Sequence, residues 1–342
     1  MTENRFHEST ADARLVTPPT PATRPLIVRL RNWIGDVVLG VPALRLLSAN
    51  GYRLHLVGKR WAQSLLEGEG WSVSTLPGPH IDRIGLLRQL RHGAHAEDAG
   101  FDRRTNAIAF PYSFSSALEM RLAGLRAIGY AGEGRRLLLH RSLPRLQGRH
   151  ELETYWQVAC SLLGVNQGPP ASIDLRVSAA ASERAERRLT EAGVAPGFVM
   201  LCPFAGGTFE GRDKQWPQFE AFAPAAATIW RRPLVICPGP DETAIARERF
   251  DSARILEDVS LGEYAALLQR SGLMVSNDTG PGHMAAAVGA PLLSVLGPTN
   301  PAQWRAWGPS AHIVQRPSGW PTVDDVLDAG TALLQPDQRH TL

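Results

Sequence analysis

Cysteine, lysine and long apolar runs are all scarce in this chain of 342 residues. The three cysteines are odd in number and far apart, so neither a disulfide framework nor a structural zinc site is expected. The longest uncharged stretch, residues 284–302, is interrupted by glycine and proline and would make a poor membrane-spanning helix. Acidic residues within the first twelve positions argue against a secretory signal. We therefore expect a cytoplasmic protein whose contact with any membrane is peripheral.

Charge is nearly balanced, because 36 Lys and Arg face 33 Asp and Glu, a formal net charge of +3. The 20% of charged and 44% of hydrophobic residues are typical of a folded globular protein, and so weak a positive excess does not indicate nucleic-acid binding. Only Lys59 and Lys214 are lysines, which makes a lysine at a chemically suggestive position notable. Residues 81–150 hold twelve arginines and six acids, a net of +6. They form either a solvated helical face or a surface that attracts an anionic acceptor or a membrane.

The order of predicted elements indicates an α/β protein with two doubly wound domains. Residues 1–24 are polar and rich in Pro and Thr, and are predicted to be a disordered tail. Strands and helices alternate through 25–170, restart and alternate through 171–320, and residues 321–342 are predicted as a C-terminal helix and tail. Such an alternation builds parallel sheets covered by helices, here two Rossmann-like domains that face a central cleft. Strands are predicted at 26–30, 53–57, 106–110, 198–202, 233–237, 254–256, 273–277 and 292–296, and helices at 37–49, 182–193, 219–230, 262–270 and 282–288.

The first candidate site follows the first predicted strand, where Gly35 and Asp36 precede a helix. Glycine lets the backbone turn sharply at the top of the sheet, and Asp36 is then held at the edge of the cleft. One interpretation is that Asp36 caps the helix, as most aspartates in that place do. The other is a general base that takes a proton from a hydroxyl nucleophile, since a helix N-terminus favours the ionised carboxylate. Both interpretations can hold together.

The second candidate site is the segment 203–217, which follows a buried strand. It contains two glycines, the hydroxyl of Thr208 and the ammonium of Lys214, followed by a proline where the next helix begins. Glycines, a hydroxyl and a cation after a strand end are suited to hold a phosphate. A flexible surface loop with a solvated lysine is the alternative, and the spacing is not that of a P-loop.

The third candidate site, residues 276–283, is the most informative because it also follows a strand and opens a helix. The free N–H groups of Thr279, Gly280 and Gly282 would face the cleft beside the positive end of the helix dipole, an arrangement that suits a diphosphate. Asp278 would repel that anion, so it is predicted to accept hydrogen bonds from sugar hydroxyls, or to cap the helix. His283 is predicted either to bind phosphate or to serve as a packing or capping residue.

Two weaker candidates complete the cleft. The segment 239–242 follows a predicted strand, and a carboxylate in it, of Asp241 or Glu242, is placed to hold ribose hydroxyls. Val259 lies ahead of the predicted helix 262–270 and would offer an apolar wall or backbone contacts to a base. Together with the third site, they predict a nucleotide-sugar site in the C-terminal half of the chain.

These segments together resemble glycosyltransferase family 9, the bacterial lipopolysaccharide heptosyltransferases. The resemblance covers most of residues 26–307. Within the family it is strongest to heptosyltransferase II, because segments 111–118 and 128–135 are similar to its acceptor-side segments. The motifs that carry the resemblance are Gly35-Asp36 with Pro42-Ala-Leu44, Lys214-Gln-Trp-Pro217, Asp278-Thr-Gly-Pro-Gly-His283 and Gly297-Pro-Thr-Asn-Pro301.

The resemblance implies a GT-B fold and an inverting, metal-independent transfer of heptose from ADP-L-glycero-D-manno-heptose, without a cofactor, to the inner core on lipid A. By the same resemblance Asp36 is the base, Lys214 and Thr208 hold the diphosphate, and Asp278 binds the heptose. The other implied donor-site residues are Thr279 and Gly280 at the leaving phosphate, His283, Glu242 or Asp241 at the ribose, and Val259 at the adenine. The implied acceptor-site residues are Ser113, Ser116 and Arg135.

Three alternatives to this function stay open at the level of sequence. A related transferase would use another nucleotide sugar, and a GT-B-like nucleotide-sugar epimerase would convert the donor without an acceptor. A catalytically silent nucleotide-sugar-binding protein is the third alternative, although it would have no need of Asp36 and Lys214. The leading interpretation places the enzyme at the cytoplasmic face of the inner membrane, with ADP-heptose and the lipid A–core acceptor as its partners.

Overall fold

The computed structural model describes most of the chain, including the whole of the C-terminal helix. Of residues 208, 209 and 212 only the backbone is described. The predicted tail therefore lies outside the described residues except for Arg24, and so does the end of the chain from residue 336. The described ranges are 24–206, 208–209, 211–297 and 300–335.

The N-terminal domain is a parallel sheet of six strands in the order β3-β2-β1-β4-β5-β6. This is the Rossmann order, in which the chain reverses direction across the sheet beside the first strand. The central strands read as nearly continuous apolar runs because helices bury both of their faces. The strands are β1 (Arg24–Arg29), β2 (Tyr52–Gly58), β3 (Ser72–Thr75), β4 (Ala107–Ala109), β5 (Ala127–Tyr130) and β6 (Arg141–Leu143), and the helices are α1 (Ile34–Ala49), α2 (Trp61–Leu65), α3 (His80–Glu97), α4 (Phe114–Leu122) and α5 (Glu151–Leu163).

The C-terminal domain repeats this pattern with a second parallel sheet in the order β11-β10-β7-β12-β13-β14. A short antiparallel hairpin, β8 with β9, follows the first strand of this sheet. The strands are β7 (Val199–Cys202), β8 (Thr208–Phe209), β9 (Arg212–Asp213), β10 (Leu234–Ile236), β11 (Ala253–Ile255), β12 (Leu273–Ser276), β13 (Leu292–Leu296) and β14 (Ala311–Gln315). The helices are α6 (Ala179–Glu191), α7 (Phe219–Trp230), α8 (Thr243–Arg249), α9 (Leu261–Arg270), α10 (Gly280–Ala287), α11 (Pro301–Trp304) and α12 (Val323–Leu334).

The two domains pack directly on each other. Helix α1 contacts α10, α2 contacts α9, and one continuous hydrophobic core contains residues of both domains, among them Val37 of α1 and Met284 of α10. The connection between the domains is held by Arg45, which is paired with Glu69 and donates to the carbonyl oxygens of Ile173 and Asp174, each at 2.6 Å. The C-terminal ends of both sheets therefore meet at a fixed cleft.

The predicted α/β architecture of two doubly wound halves is confirmed, but several element ends differ. Helix α1 begins at Ile34, three residues before the predicted start, and its N-cap residue is Trp33, without a side-chain cap. The interpretation of Asp36 as a helix cap is therefore wrong, because Asp36 lies inside the first turn. Helix α10 similarly begins at Gly280 rather than at residue 282. No helix in the described ranges is both long and apolar enough to cross a bilayer.

Candidate active site

Asp36 lies in the first turn of α1 at the end of the N-terminal sheet and is only 8% exposed. The hydroxyl of Tyr155, from α5, donates to Oδ1 of Asp36 at 2.7 Å. The guanidinium Nε of Arg31 lies 3.5 Å from Oδ2. The carboxylate is thus held from two sides, by a phenolic donor and by a neighbouring cation.

Two further groups extend this contact into a buried chain. The hydroxyl of Tyr155 also lies 3.0 Å from Oε1 of Glu151, and the hydroxyl of Tyr112 donates to the same oxygen at 2.6 Å. Burial raises the pKa of Tyr155 well above its usual value, and burial likewise raises the pKa of Tyr112. Both phenols therefore keep their protons at neutral pH and act as hydrogen-bond donors.

On the other side of the cleft, Asp278 lies between two basic side chains. The Nζ atom of Lys214 is 3.2 Å from Oδ2 of Asp278, and Nε2 of His283 is 4.0 Å from Oδ1. Burial lowers the pKa of His283, so its ring is neutral at pH 7. The Nδ1 atom of His283 is buried and has no hydrogen-bond partner within the described part of the chain. The predicted diphosphate lysine and sugar carboxylate are thus neighbours that pair with each other.

The position of Lys214 depends on a buried asparagine at the end of β12. The side-chain oxygen of Asn277 accepts from the backbone N–H of Trp216 at 2.8 Å, and its amide donates to the carbonyl of Pro203 at 2.8 Å. The indole N–H of Trp216 donates to the carbonyl of Pro321 at 2.9 Å. These bonds tie the lysine segment and the loop after β7 to the start of α10.

The N-termini of α1 and α10 meet at two glycines. A Cβ atom on Gly280 would lie 2.7 Å from Cβ of Ile34, and a Cβ atom on Gly35 would lie 2.7 Å from Cδ2 of His283. Side chains at these positions would force the helices apart. Two helix N-termini thereby converge, and their unpaired N–H groups and dipoles favour an anion between the domains.

The remaining donor-side predictions lie at the ends of neighbouring strands. The carboxylate of Glu242 accepts from the backbone N–H of Gly239 at 2.8 Å and so closes the turn after β10, whereas Asp241 is exposed. Val259 is half-buried and packs against the core shared by the domains. Thr208 belongs to β8, and its side chain lies outside what the structure describes. Contacts within the chain do not test whether these residues bind the donor, so their donor-binding roles stay predictions.

The predicted acceptor-side serines are engaged in a helix cap. Oγ of Ser113 accepts from the N–H of Ser116 at 3.4 Å, and the hydroxyl of Ser116 donates to the carbonyl of Ser113 at 2.8 Å. Arg135 is 1% exposed, its Nε and Nη2 atoms have no partner among the described residues, and burial lowers its pKa. Of the three, only Arg135 has unused donors, while the serines are committed to starting α4.

Three of the arginines in the basic segment 81–150 are paired with acids of the same segment. Arg83 pairs with Glu119 and Arg91 with Asp102, and Arg104 pairs with Asp98. These arginines stabilise the N-terminal domain and are not free to attract an acceptor. The acids in these pairs are already counted in the net of +6, so the segment keeps its net positive charge.

Arginines near the cleft are arranged differently. The guanidinium groups of Arg31 and Arg145 lie 4.4 Å and 4.3 Å from the centre of the Tyr112 ring, at distances typical of cation–π contacts. Beside them is a cavity of about 280 Å³ between the domains. Its lining includes Arg145, Arg149, Glu151 and Thr154 from the N-terminal domain and Gln303 and Trp304 from the C-terminal domain.

Sequence reasoning missed the residues that orient the site. Tyr155 and Glu151 lie more than a hundred residues from Asp36, and no motif links them to it. Asn277 lies within the segment 276–283 and directly follows a buried apolar strand, which was the signal overlooked. Its position between two loops is visible only in the structure. Arg31 directly follows the first predicted strand, 26–30, at a strand end where parallel-sheet sites collect polar residues.

The comparison with known families agrees with this arrangement. Residues 96–325, more than half of the chain, match the family described as Glycosyltransferase family 9 (heptosyltransferase). The chain belongs to glycosyltransferase family 9. It is accordingly a glycosyltransferase, which favours the transferase over the epimerase and over the silent binding protein, and the resemblance inferred from the motifs is confirmed.

Individual relatives are more distant. Lipopolysaccharide heptosyltransferase 2 of Escherichia coli K12 is 24% identical over 315 residues, which cover 85% of this chain and 88% of that protein. Lipopolysaccharide heptosyltransferase 3 of Escherichia coli is 30% identical over 140 residues, which span 39% of this chain and only 40% of that protein. The solved structure of E. coli ADP-heptose lps heptosyltransferase II has a TM-score of 0.73 at 22% identity and covers 91% of this chain and 98% of its own. That likeness confirms the predicted GT-B fold.

Proposed function

We propose that this protein transfers L-glycero-D-manno-heptose from ADP-heptose to the inner core of lipopolysaccharide, with inversion, as a heptosyltransferase II-like enzyme. The names of its relatives support heptose as the sugar and ADP as its carrier. The observation that carries the proposal is the buried carboxylate of Asp36 facing, across one cleft, a lysine and a helix N-terminus. A base and an anion site on opposite domains are what a single displacement at an anomeric carbon requires.

Asp36 is the general base in this proposal. Since Oδ1 accepts from Tyr155, Oδ2 is the oxygen that takes the acceptor proton. The acceptor O–H bond breaks as its proton moves to Oδ2, and the oxygen forms a bond to the anomeric carbon of heptose. The bond from that carbon to the β-phosphate oxygen breaks with its electron pair, so ADP departs and the configuration inverts.

Lys214 and the N-terminus of α10 stabilise the departing diphosphate. Lys214 lies beside Asp278, and its flexible side chain would extend to a phosphate oxygen when the donor binds. The N–H groups of Thr279 and Gly280 face the same charge, and fixed donors of this kind can lower a barrier by several kcal/mol. Asp278 then accepts from heptose hydroxyls, and neutral His283 has Nδ1 available.

The other assignments complete the proposed site. We assign Thr208 to the diphosphate, Glu242 or Asp241 to the ribose, and Val259 to the adenine, and the acceptor side to Ser113, Ser116 and Arg135. No metal or cofactor takes part in the proposed reaction, because Lys214 and the helix supply the positive charge. We place the enzyme at the cytoplasmic face of the inner membrane, in peripheral contact with the lipid that carries its acceptor.

The variant Asp36→Asn tests the proposal. We expect its kcat to fall by about 10²- to 10⁴-fold, because the amide cannot take the proton. The dissociation constant for ADP, measured by calorimetry, should change little, since Asp36 belongs to the other domain. A comparable loss of both quantities would contradict the base assignment.

Substrate identity needs separate measurements. Calorimetry with ADP-, UDP- and GDP-linked sugars should reveal selectivity for ADP, and binding of another nucleotide would favour the alternative of a transferase with a different donor. Mass spectrometry of lipopolysaccharide from a deletion strain should reveal the loss of one heptose and everything beyond it. Unchanged turnover in EDTA would support metal independence.

A further inference from the structure

Asp36 and Glu151 share a single phenolic proton. The oxygen of Tyr155 lies 2.7 Å from Oδ1 of Asp36 and 3.0 Å from Oε1 of Glu151, and both carboxyl groups are buried. A hydroxyl has one proton to donate, so at any moment one of the two oxygens receives the hydrogen bond and the other does not. Glu151 also accepts from Tyr112 at 2.6 Å, so it is never left without a donor.

We infer that Tyr155 and Glu151 are positioning residues that orient Asp36 and adjust its hydrogen bonding during proton transfer. This inference rests on the proposed function, because it assigns Asp36 the role of base. Neither residue touches the acceptor or the donor in this inference; each acts through Asp36.

The geometry determines which oxygen of Asp36 reacts. Oδ1 is directed at α5 by Tyr155, which leaves Oδ2 toward the loop that carries Arg31. Rotation of the carboxylate would break the bond from Tyr155 and bring Oδ2 toward the second buried carboxyl group. The hydrogen bond therefore holds the reactive oxygen in one orientation, which is the requirement for efficient proton transfer.

Proton transfer then changes which carboxyl oxygen accepts the hydrogen bond from Tyr155. Before the reaction the ionised Asp36 attracts the phenolic proton more strongly, as its shorter distance indicates. Once Oδ2 has taken the acceptor proton, Asp36 is neutral. The O–H bond of Tyr155 can then rotate toward Oε1 of Glu151, and the proton stays on the phenolic oxygen. Burial keeps the pKa of Tyr155 high, so this phenol reorients rather than ionises.

Other charged and titratable side chains around Asp36 also influence the pH dependence of the reaction. They come from four parts of the chain, and each test variant below replaces only one of them. The charged and titratable groups that face Asp36 are Arg31 after β1, Tyr112 after β4, Glu151 and Tyr155 on α5, and His283 on α10.

The test uses the variants Tyr155→Phe and Glu151→Gln in the full-length enzyme, with kcat, KM for the donor and the pH profile as readouts. For Tyr155→Phe we expect kcat to fall about tenfold or more with an unchanged KM. Its acidic limb should move to higher pH, because the ionised carboxylate has lost a donor. For Glu151→Gln the acidic limb should move to lower pH, because a neighbouring negative charge is gone.

Tyr130→Phe is the matched control. Tyr130 is equally buried and its hydroxyl donates to the carbonyl of Thr154 at 2.7 Å, but it has no contact with Asp36. It should lose stability like Tyr155→Phe and keep the wild-type pH profile. If Tyr155→Phe fails to fold, the direction in which the acidic limb of the pH profile moves in Glu151→Gln still tests the inference.

Three outcomes separate the possibilities. Opposite shifts of the acidic limb in the two variants support the inference. Unshifted profiles, with Asp36→Asn inactive, would overturn the inference and leave the proposed function standing. An active Asp36→Asn variant would refute the base assignment itself, and the inference with it.

Discussion

Lys214 and Lys59 are the two lysines of the chain, and their surroundings differ. The side chain of Lys214 is 21% exposed and paired with Asp278, whereas Lys59 is exposed at the end of β2. A cation held beside a buried carboxylate and a helix N-terminus is placed for an anionic ligand, while an exposed lysine is surrounded by water.

Replacing Lys214 should therefore weaken the binding of ADP. For Lys214→Ala we expect an increase of about 10- to 100-fold in the dissociation constant, since a charge-assisted hydrogen bond is worth about 1.5–3 kcal/mol. Calorimetry with ADP measures it. Lys59→Ala is the control and should bind ADP like the wild type, and equal losses in both variants would refute a specific role for Lys214.

At this scale the sequence predicted which residues gather but not how they are held. Asp36, Lys214, Asp278 and His283 each follow a strand end, and the C-terminal ends of parallel strands meet. Their mutual pairing was not predictable, because Lys214 reaches Asp278 through a loop whose path depends on the buried side chain of Asn277.

Helices α1 and α10 are the elements that bring the site together. Both begin at the cleft, and both have an N-cap residue without a side-chain cap, Trp33 and Thr279. Asp36 is of a residue type that commonly caps helices, so the start of α1 was placed at residue 37, whereas α10 was predicted from residue 282 although Thr279 is of a capping type. The contact between the helices requires glycine, and this requirement is visible only in three dimensions.

Gly280→Ala should disturb this contact. The added Cβ would lie 2.7 Å from Cβ of Ile34, and overpacking of this kind costs about 1–3 kcal/mol. Denaturant unfolding should therefore detect a loss of stability, accompanied by a lower kcat.

Gly85→Ala is the control for that variant. Gly85 is exposed in the middle of α3 with no atom within 4 Å of an added Cβ, so alanine should stabilise the protein by about 0.5–1 kcal/mol. Unaltered stability and activity in Gly280→Ala would mean that the helices can separate freely.

At the scale of the whole molecule, a histidine joins the domains. His150 caps α5, accepting the N–H of Leu152 on Nδ1 at 3.2 Å, and its Nε2 donates to the carbonyl of Arg305 at 2.8 Å. Its ring also lies 4.8 Å from that of Trp307. The two hydrogen bonds require a neutral His150 ring with its proton on Nε2. Burial lowers the pKa of His150, which favours this neutral form.

Stability should consequently decline in mild acid. A histidine with an ordinary pKa of about 6.5 takes up a proton in the unfolded chain sooner than His150 does in the folded one. The stability that depends on the neutral ring is therefore complete above about pH 6.5 and is lost as the pH falls. Thermal unfolding between pH 5 and 8 measures this. His150→Asn keeps a capping oxygen and should flatten the dependence, and an unchanged slope would assign it to His55 or His283.

The overall architecture was the most predictable part. Strands such as β13 were predicted with their observed bounds, since a buried apolar run between a proline and a glycine leaves little choice. The strand order also follows from the alternation of strands and helices. The hairpin β8–β9 was not predicted, because its two-residue strands carry no periodic pattern. The packing of the domains depends on side chains far apart in sequence.

The scarcity of lysine has a practical consequence for spectroscopy. Reductive methylation with ¹³C-formaldehyde would label two ε-amino groups and the terminal amine, so the resulting NMR spectrum would contain very few signals. Because Lys59 is exposed, its resonance should stay constant during a titration with ADP. The Lys214 resonance should shift as the ammonium exchanges a carboxylate for a phosphate, which would report donor occupancy without a chromophore or a coupled assay. A shift confined to Lys59 would contradict the proposed donor site.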